Sequence, residues 1–218
     1  MKDHMKIVQK TVYFVKETLK DAEGGHDWYH IERVWKTAGY IRKKEGKGDL
    51  LIIELAALLH DISDPKFNGG DEEKGTLVAY EFLKDQGLER DQLDHIREII
   101  RHVSYKGGRA QDQISTIEFQ IVQDADRLDA IGAIGIARAF NYGGFKNRPI
   151  HDPEQPLQEY DDPEAYHRSD AATINHFYEK LLKLKDLMNT PTGKKMAEER
   201  HDYMLEFLDR FYSEWDPT

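Results

Sequence analysis

The run Leu50–Leu59, LLIIELAALL, is the most apolar stretch of the chain, and His60-Asp61 follows it at once. With no apolar–polar alternation and no majority of β-branched side chains, it reads as helix rather than strand. A helix that is apolar on every side has to be surrounded by other elements. The polar turn Gly46-Lys47-Gly48-Asp49 bounds it upstream. The chain is therefore expected to organise around a central buried helix with an ionisable pair at its end. That position is costly for such a pair unless it is partnered or coordinated.

The neighbouring segments keep the same helical period. Residues 6–22 place Ile7, Val8, Val12, Phe14, Val15 and Leu19 at mostly three- and four-residue steps, and Glu23-Gly24-Gly25 ends the pattern. A second helix is expected to start near Asp27, a suitable cap, with Ile31, Val34, Trp35, Ala38 and Ile41 on one face. Further helices are predicted over 74–86, 90–103, 116 to about 132, 171–188 and 193–215, the last two parted by Thr190-Pro191-Thr192-Gly193. Segment 141–163, with Gly143-Gly144 and four prolines, reads as a long loop. With no internal repeat, low-complexity tract or linker, the expectation is one all-α domain over 1–218, its motif core at about 20–135 and extra C-terminal helices packed on it.

Composition narrows the function classes. At 218 residues, 39% of them hydrophobic, the chain can bury a sizeable core. Its net charge of −10 disfavours non-specific binding to nucleic acid, which relies on a basic footprint. No apolar run approaches the roughly 20 residues that cross a bilayer. The opening MKDHMKIVQK lacks the features of a secretory signal, so a cytoplasmic location is expected. The absence of cysteine excludes disulfides, thiolate metal sites and cysteine nucleophiles. Any metal must be held by His and carboxylate.

Two further segments carry ionisable groups in apolar company. GHDWYHIERVW sets His26 and His30 four apart, with His30 on the side of Val34 and Ile41. IVQDADRLDAIGA sets Asp124, Asp126 and Asp129 in a small, apolar helix, where carboxylates want a cation or strong hydrogen bonds. Each group on its own also has a bland reading, His60-Asp61 as a satisfied structural pair and His26 as a surface residue.

Taken together, these words resemble the HD-domain phosphohydrolases, in particular the small stand-alone bacterial branch. The family pattern is a His, a His-Asp doublet and a distant Asp, each on a separate helix of an all-α fold. Here it is matched by His30 in HIERV, His60-Asp61 in LLHDISD and Asp126 in ADRL, with HFYEKLLKL later in the chain. The resemblance covers about residues 20–215. It implies that His30, His60, Asp61 and Asp126 hold a divalent metal, with Asp124 and Asp129 as supporting or structural groups. The metal implied is Mn2+, with Mg2+, Ni2+, Co2+, Fe2+ or Zn2+ as substitutes. Two imidazoles with two carboxylates suit such ions better than Ca2+.

The chemistry implied is attack of an activated water on phosphorus. Asp64, four after His60 and three after Asp61, is the candidate base; equally, Asp64-Pro65 reads as a helix end. Candidate phosphate or supporting contacts are His26, Lys66, His102, Lys106, Asp124, Arg138 and Lys146, each with a solvated or structural alternative. The expected substrate is a nucleotide or another phosphate ester. The resemblance favours hydrolysis of a nucleoside triphosphate to monophosphate and pyrophosphate. A 5′-nucleotidase, a phosphodiesterase, or a non-catalytic helical module with a structural metal are the alternatives.

Overall fold

The computed structural model describes residues 2–20, 27–62, 72–103, 114–158 and 170–217. Among them every regular element is helical. They are α1 (Lys2–Thr18), α2 (Trp28–Glu45), α3 (Leu50–Leu59), α4 (Glu72–Leu83), α5 (Arg90–His102), α6 (Ile117–Asp129), α7 (Gly132–Phe145), α8 (Thr173–Glu179), a 3-10 helix (Leu181–Leu187) and α9 (Pro191–Trp215). No helix among the described residues is long and apolar enough to cross a membrane. The chain groups into two compact units, Met1–Asp126 and Arg127–Thr218.

In the first unit α3 is the hub, packed against α1, α2 and α5, while α4 packs on α5. Its bounds are those read from the sequence. Asp49 starts it by accepting hydrogen bonds from Leu51 N (2.8 Å) and Ile52 N (3.3 Å). Ile52, Ile53 and Leu55 through Leu59 are all buried, as an all-round apolar helix requires. Asp27 caps α2 by accepting from His30 N at 3.0 Å. Ile31, Val34, Ala38 and Ile41 form its buried stripe. A cap of this kind contributes about 1 kcal/mol and fixes where the helix, and so His30, begins.

The second unit departs from expectation three times, first in α7 itself, since no helix is predicted from the sequence between about 132 and 171. The predicted loop at 141–163 begins only after α7, which runs through Gly143-Gly144 to Phe145. Gly143 is a site of close approach rather than a helix breaker: a β-carbon there would lie 2.2 Å from Thr173 Oγ1. The single helix expected over 171–188 is instead α8 followed by the 3-10 helix, with a break at Lys180 (φ −137°, ψ −59°). α7 packs on α8 and α9, and the 3-10 helix packs on the same two elements. Phe177 stacks on Phe207 at 5.8 Å between ring centres, with Phe140 tilted against Phe177 and edge-on to Phe207. Thr190 caps α9 by accepting from Gly193 N at 2.9 Å, with Pro191 in the first turn.

Gly135 marks the tightest backbone approach in this unit, since a β-carbon there would fall 2.2 Å from the Ala130 carbonyl oxygen. That neighbour is main chain and cannot swing aside. Gly135→Ala is expected to destabilise the protein by about 1–3 kcal/mol, read as a lowered urea midpoint. An unchanged midpoint would show that the α7 start is not packed as described.

Candidate metal centre

Three helices of the first unit bring the expected residues to one point. His30 lies in the first turn of α2, His60 at the C-terminal cap of α3, Asp61 next to it, and Asp126 on α6. The Nε2 atoms of His30 and His60 face each other at 3.2 Å. Asp126 Oδ1 is 3.6 Å from each of them. Asp61 Oδ2 is 3.4 Å from His30 Nε2 and 3.8 Å from His60 Nε2. Both imidazoles are buried, and the Asp126 side chain keeps 24% of its surface exposed. The pocket thus has buried nitrogen donors and an oxygen donor that still meets solvent.

The donor set fits a divalent cation. Two nitrogens bound at about 2.1 Å to one ion lie about 3.0–3.4 Å apart for angles of about 90–110°. The imidazole spacing observed falls in that range. His30, His60 and Asp126 offer ligand atoms within 4.8 Å of one another. His60 Nδ1 lies 2.8 Å from the Ala57 carbonyl oxygen, to which it donates. This bond leaves the lone pair of a neutral His60 on Nε2, aimed at the shared point. Sequence reasoning had no access to this support, because a main-chain carbonyl has no residue type to recognise.

The electrostatics point the same way. Burial pulls the His60 pKa down, but the carboxylates of Asp61 and Asp126 and the Ala57 carbonyl outweigh it and raise it to about 9. Burial likewise opposes charge on Asp126, yet the proximity of His60 and His30 holds its carboxyl below the usual range. A proton on His60 therefore takes the place of the cation when none is bound.

The other candidates lie in varied settings. Asp124 is fully buried on α6. His102 ends α5 with Nε2 3.5 Å from Glu98 Oε2. Arg138 donates to the buried carboxylate of Asp129, giving both a structural occupation within the second unit. Lys146 caps α7 with its ammonium 5.7 Å from the Tyr142 ring centre and 5.4 Å from that of Phe145. His26, Asp64, Lys66 and Lys106 lie outside the described residues.

An all-α scaffold that gathers two buried imidazoles and carboxylates from three helices around one cation-sized space is that of a metal-dependent hydrolase. Residues 27–131 match the HD domain family, and the chain belongs to this family of metal-dependent phosphohydrolases. It is 40% identical over 196 residues to YpgQ of Bacillus subtilis, spanning 89% of this chain and 87% of that protein. An HD-superfamily hydrolase from Bacillus thuringiensis shares its fold with a TM-score of 0.78 and 44% identity, covering 99% of this chain and 100% of the other. YpgQ in complex with ADP superposes with a TM-score of 0.77 at 35% identity, over 99% and 97% of the two chains.

Proposed function

We propose that the protein hydrolyses nucleoside triphosphates to the monophosphate and pyrophosphate, with His30, His60, Asp61 and Asp126 as ligands of a divalent ion, Mn2+ foremost. The observation that supports this best is the facing pair of imidazole nitrogens at 3.2 Å with Asp126 3.6 Å from each. The ADP complex of its relative YpgQ supports a nucleotide as substrate. The proposal takes the whole chain, 1–218, as one working domain, acting in the cytoplasm.

When bound, the ion supplies positive charge to phosphoryl oxygens and lowers the pKa of a neighbouring water. The chain does the rest. Ala57 fixes the tautomer and direction of His60, while Asp61 and Asp126 supply the negative charge that retains a cation in a largely buried setting. Asp64, four residues after His60 in the sequence, takes the proton from the attacking water. His26, Lys66, His102 and Lys106 are the proposed contacts to the phosphate chain, and Asp124 steadies the ligands from within α6.

Incubation of the Mn2+-loaded protein with dGTP, followed by separation of products, tests the reading. Pyrophosphate and dGMP in equal amounts are expected. Orthophosphate alone overturns the proposed bond specificity, and release of orthophosphate from dGMP would indicate a 5′-nucleotidase. Turnover of cyclic or dinucleotide substrates with dGTP untouched would indicate a phosphodiesterase.

A further inference from the structure

Glu54 is the only charged residue in LLIIELAALL, and the centre described above does not use it. It sits mid-way along α3 with its side chain 17% exposed. Both of its oxygens are engaged: Oε1 accepts from Trp35 Nε1 at 3.0 Å, and Oε2 accepts from His4 Nε2 at 2.6 Å. One carboxylate in the hub helix thus ties down α2 through Trp35 and α1 through His4.

The place of this tie matters because α2 and α3 also carry the two imidazoles. Trp35 lies five residues beyond His30 on α2, and Glu54 lies six residues before His60 on α3. At 1.5 Å per residue, those separations are about 7.5 and 9 Å along the two helix axes. Apolar helix faces pack in several neighbouring registers of similar energy, whereas a directional polar bond selects one. Ile31, Val34, Ala38 and Ile41 are buried on α2, and apolar packing of that kind is non-directional. A small slide or rotation of α2 on α3 would pull the facing Nε2 atoms out of their 3.2 Å spacing.

We infer that Glu54 is a positioning residue for the metal centre: its bond to Trp35 sets the register of α2 on α3 and so the spacing of His30 and His60. The inference rests on the metal-binding reading of those two histidines. Glu54→Leu keeps the side-chain bulk and removes both bonds, Glu54→Gln keeps an oxygen for Trp35, and Trp35→Phe removes only the indole donor.

Mn2+ titration of the purified chain, followed by calorimetry and by the electron paramagnetic resonance of bound Mn2+, is paired with thermal unfolding of the metal-free variants. Glu54→Leu is expected to stay folded and to weaken Mn2+ binding by about tenfold, the lower end of what supporting residues contribute. Trp35→Phe should weaken it in the same direction, the double variant no more than Glu54→Leu alone, and Glu54→Gln should restore most of the affinity. A Glu54→Leu protein that binds Mn2+ within twofold of the unaltered chain overturns the inference while leaving the metal centre standing. So does a loss of affinity that Glu54→Gln fails to recover. Absence of Mn2+ binding by the unaltered chain overturns the metal centre and the inference together.

Discussion

His60→Ala is expected to abolish nucleotide turnover, by on the order of a thousandfold or more, while leaving the helical circular dichroism largely intact. The catalytic loss follows from removing a ligand that retains an ion contributing several kcal/mol of charge stabilisation, at about 1.4 kcal/mol per tenfold in rate. The fold should survive because His60 stands at the end of α3, whose burial rests on Ile52, Ile53 and Leu55 through Leu59. The bond that His60 makes to Ala57 is local, three residues back along the same helix. Asp61→Ala should behave alike, since its carboxylate lies 3.4 Å from His30 and 3.8 Å from His60. Steady-state kinetics with dGTP and Mn2+, run beside far-ultraviolet dichroism, make the check. Either variant retaining more than about a tenth of the original rate would remove that residue from the reaction.

The affinity for a divalent ion is expected to climb steeply with pH. His60 has its pKa raised from 6.5 to about 9, so in the metal-free protein it carries a proton at neutral pH. An imidazole must be unprotonated to bind a metal, and each ion bound displaces that proton. One displaced proton gives about a tenfold rise in association constant per pH unit, hence nearly a hundredfold between about pH 6.5 and 8.5. Stability of the metal-free protein runs the other way. A raised pKa contributes stability fully below the unfolded value of 6.5, and the contribution is lost as pH rises through about 9. For a buried group shifted this far the effect is on the order of 3 kcal/mol. Anaerobic calorimetry with Mn2+ in buffers of differing ionisation enthalpy reads the proton release directly. A flat affinity across this window would show that His60 does not exchange a proton for the ion.

Much of the first unit was legible because the signals are local. Asp27 and Asp49 announce α2 and α3 within three residues of the backbone groups they cap. The buried stripe Ile31, Val34, Ala38, Ile41 repeats at helical spacing. His60-Asp61 and the aspartates of IVQDADRLDAIGA stand out because ionisable groups are costly among Leu, Ile and Ala, whereas the choice of Asp126 among them rests on resemblance to the family. Glu54 carried the same signal inside LLIIELAALL, but its partners His4 and Trp35 lie 50 and 19 residues away, and nothing local names them.

The failures were of long-range origin. Gly143 reads as a helix breaker because glycine loses more freedom on folding than other residues. Its role is set by Thr173, thirty residues on, which occupies the space a side chain would need. The break at Lys180 has no glycine or proline beside it.

What the amino-acid order determined alone is where most helices start and which face of each is apolar, together with the four residues of the family pattern. Helix starts and apolar faces depend on backbone groups and side chains within a turn or two of one another, whereas the four residues were picked out by resemblance to the family. Only the tertiary structure decided that two nitrogens from α2 and α3 meet at 3.2 Å, that Asp126 stands 3.6 Å from both, and that a main-chain carbonyl aims His60. Such distances belong to the packing of helices far apart along the chain, where each ångström depends on the whole set of buried side chains rather than on any one word.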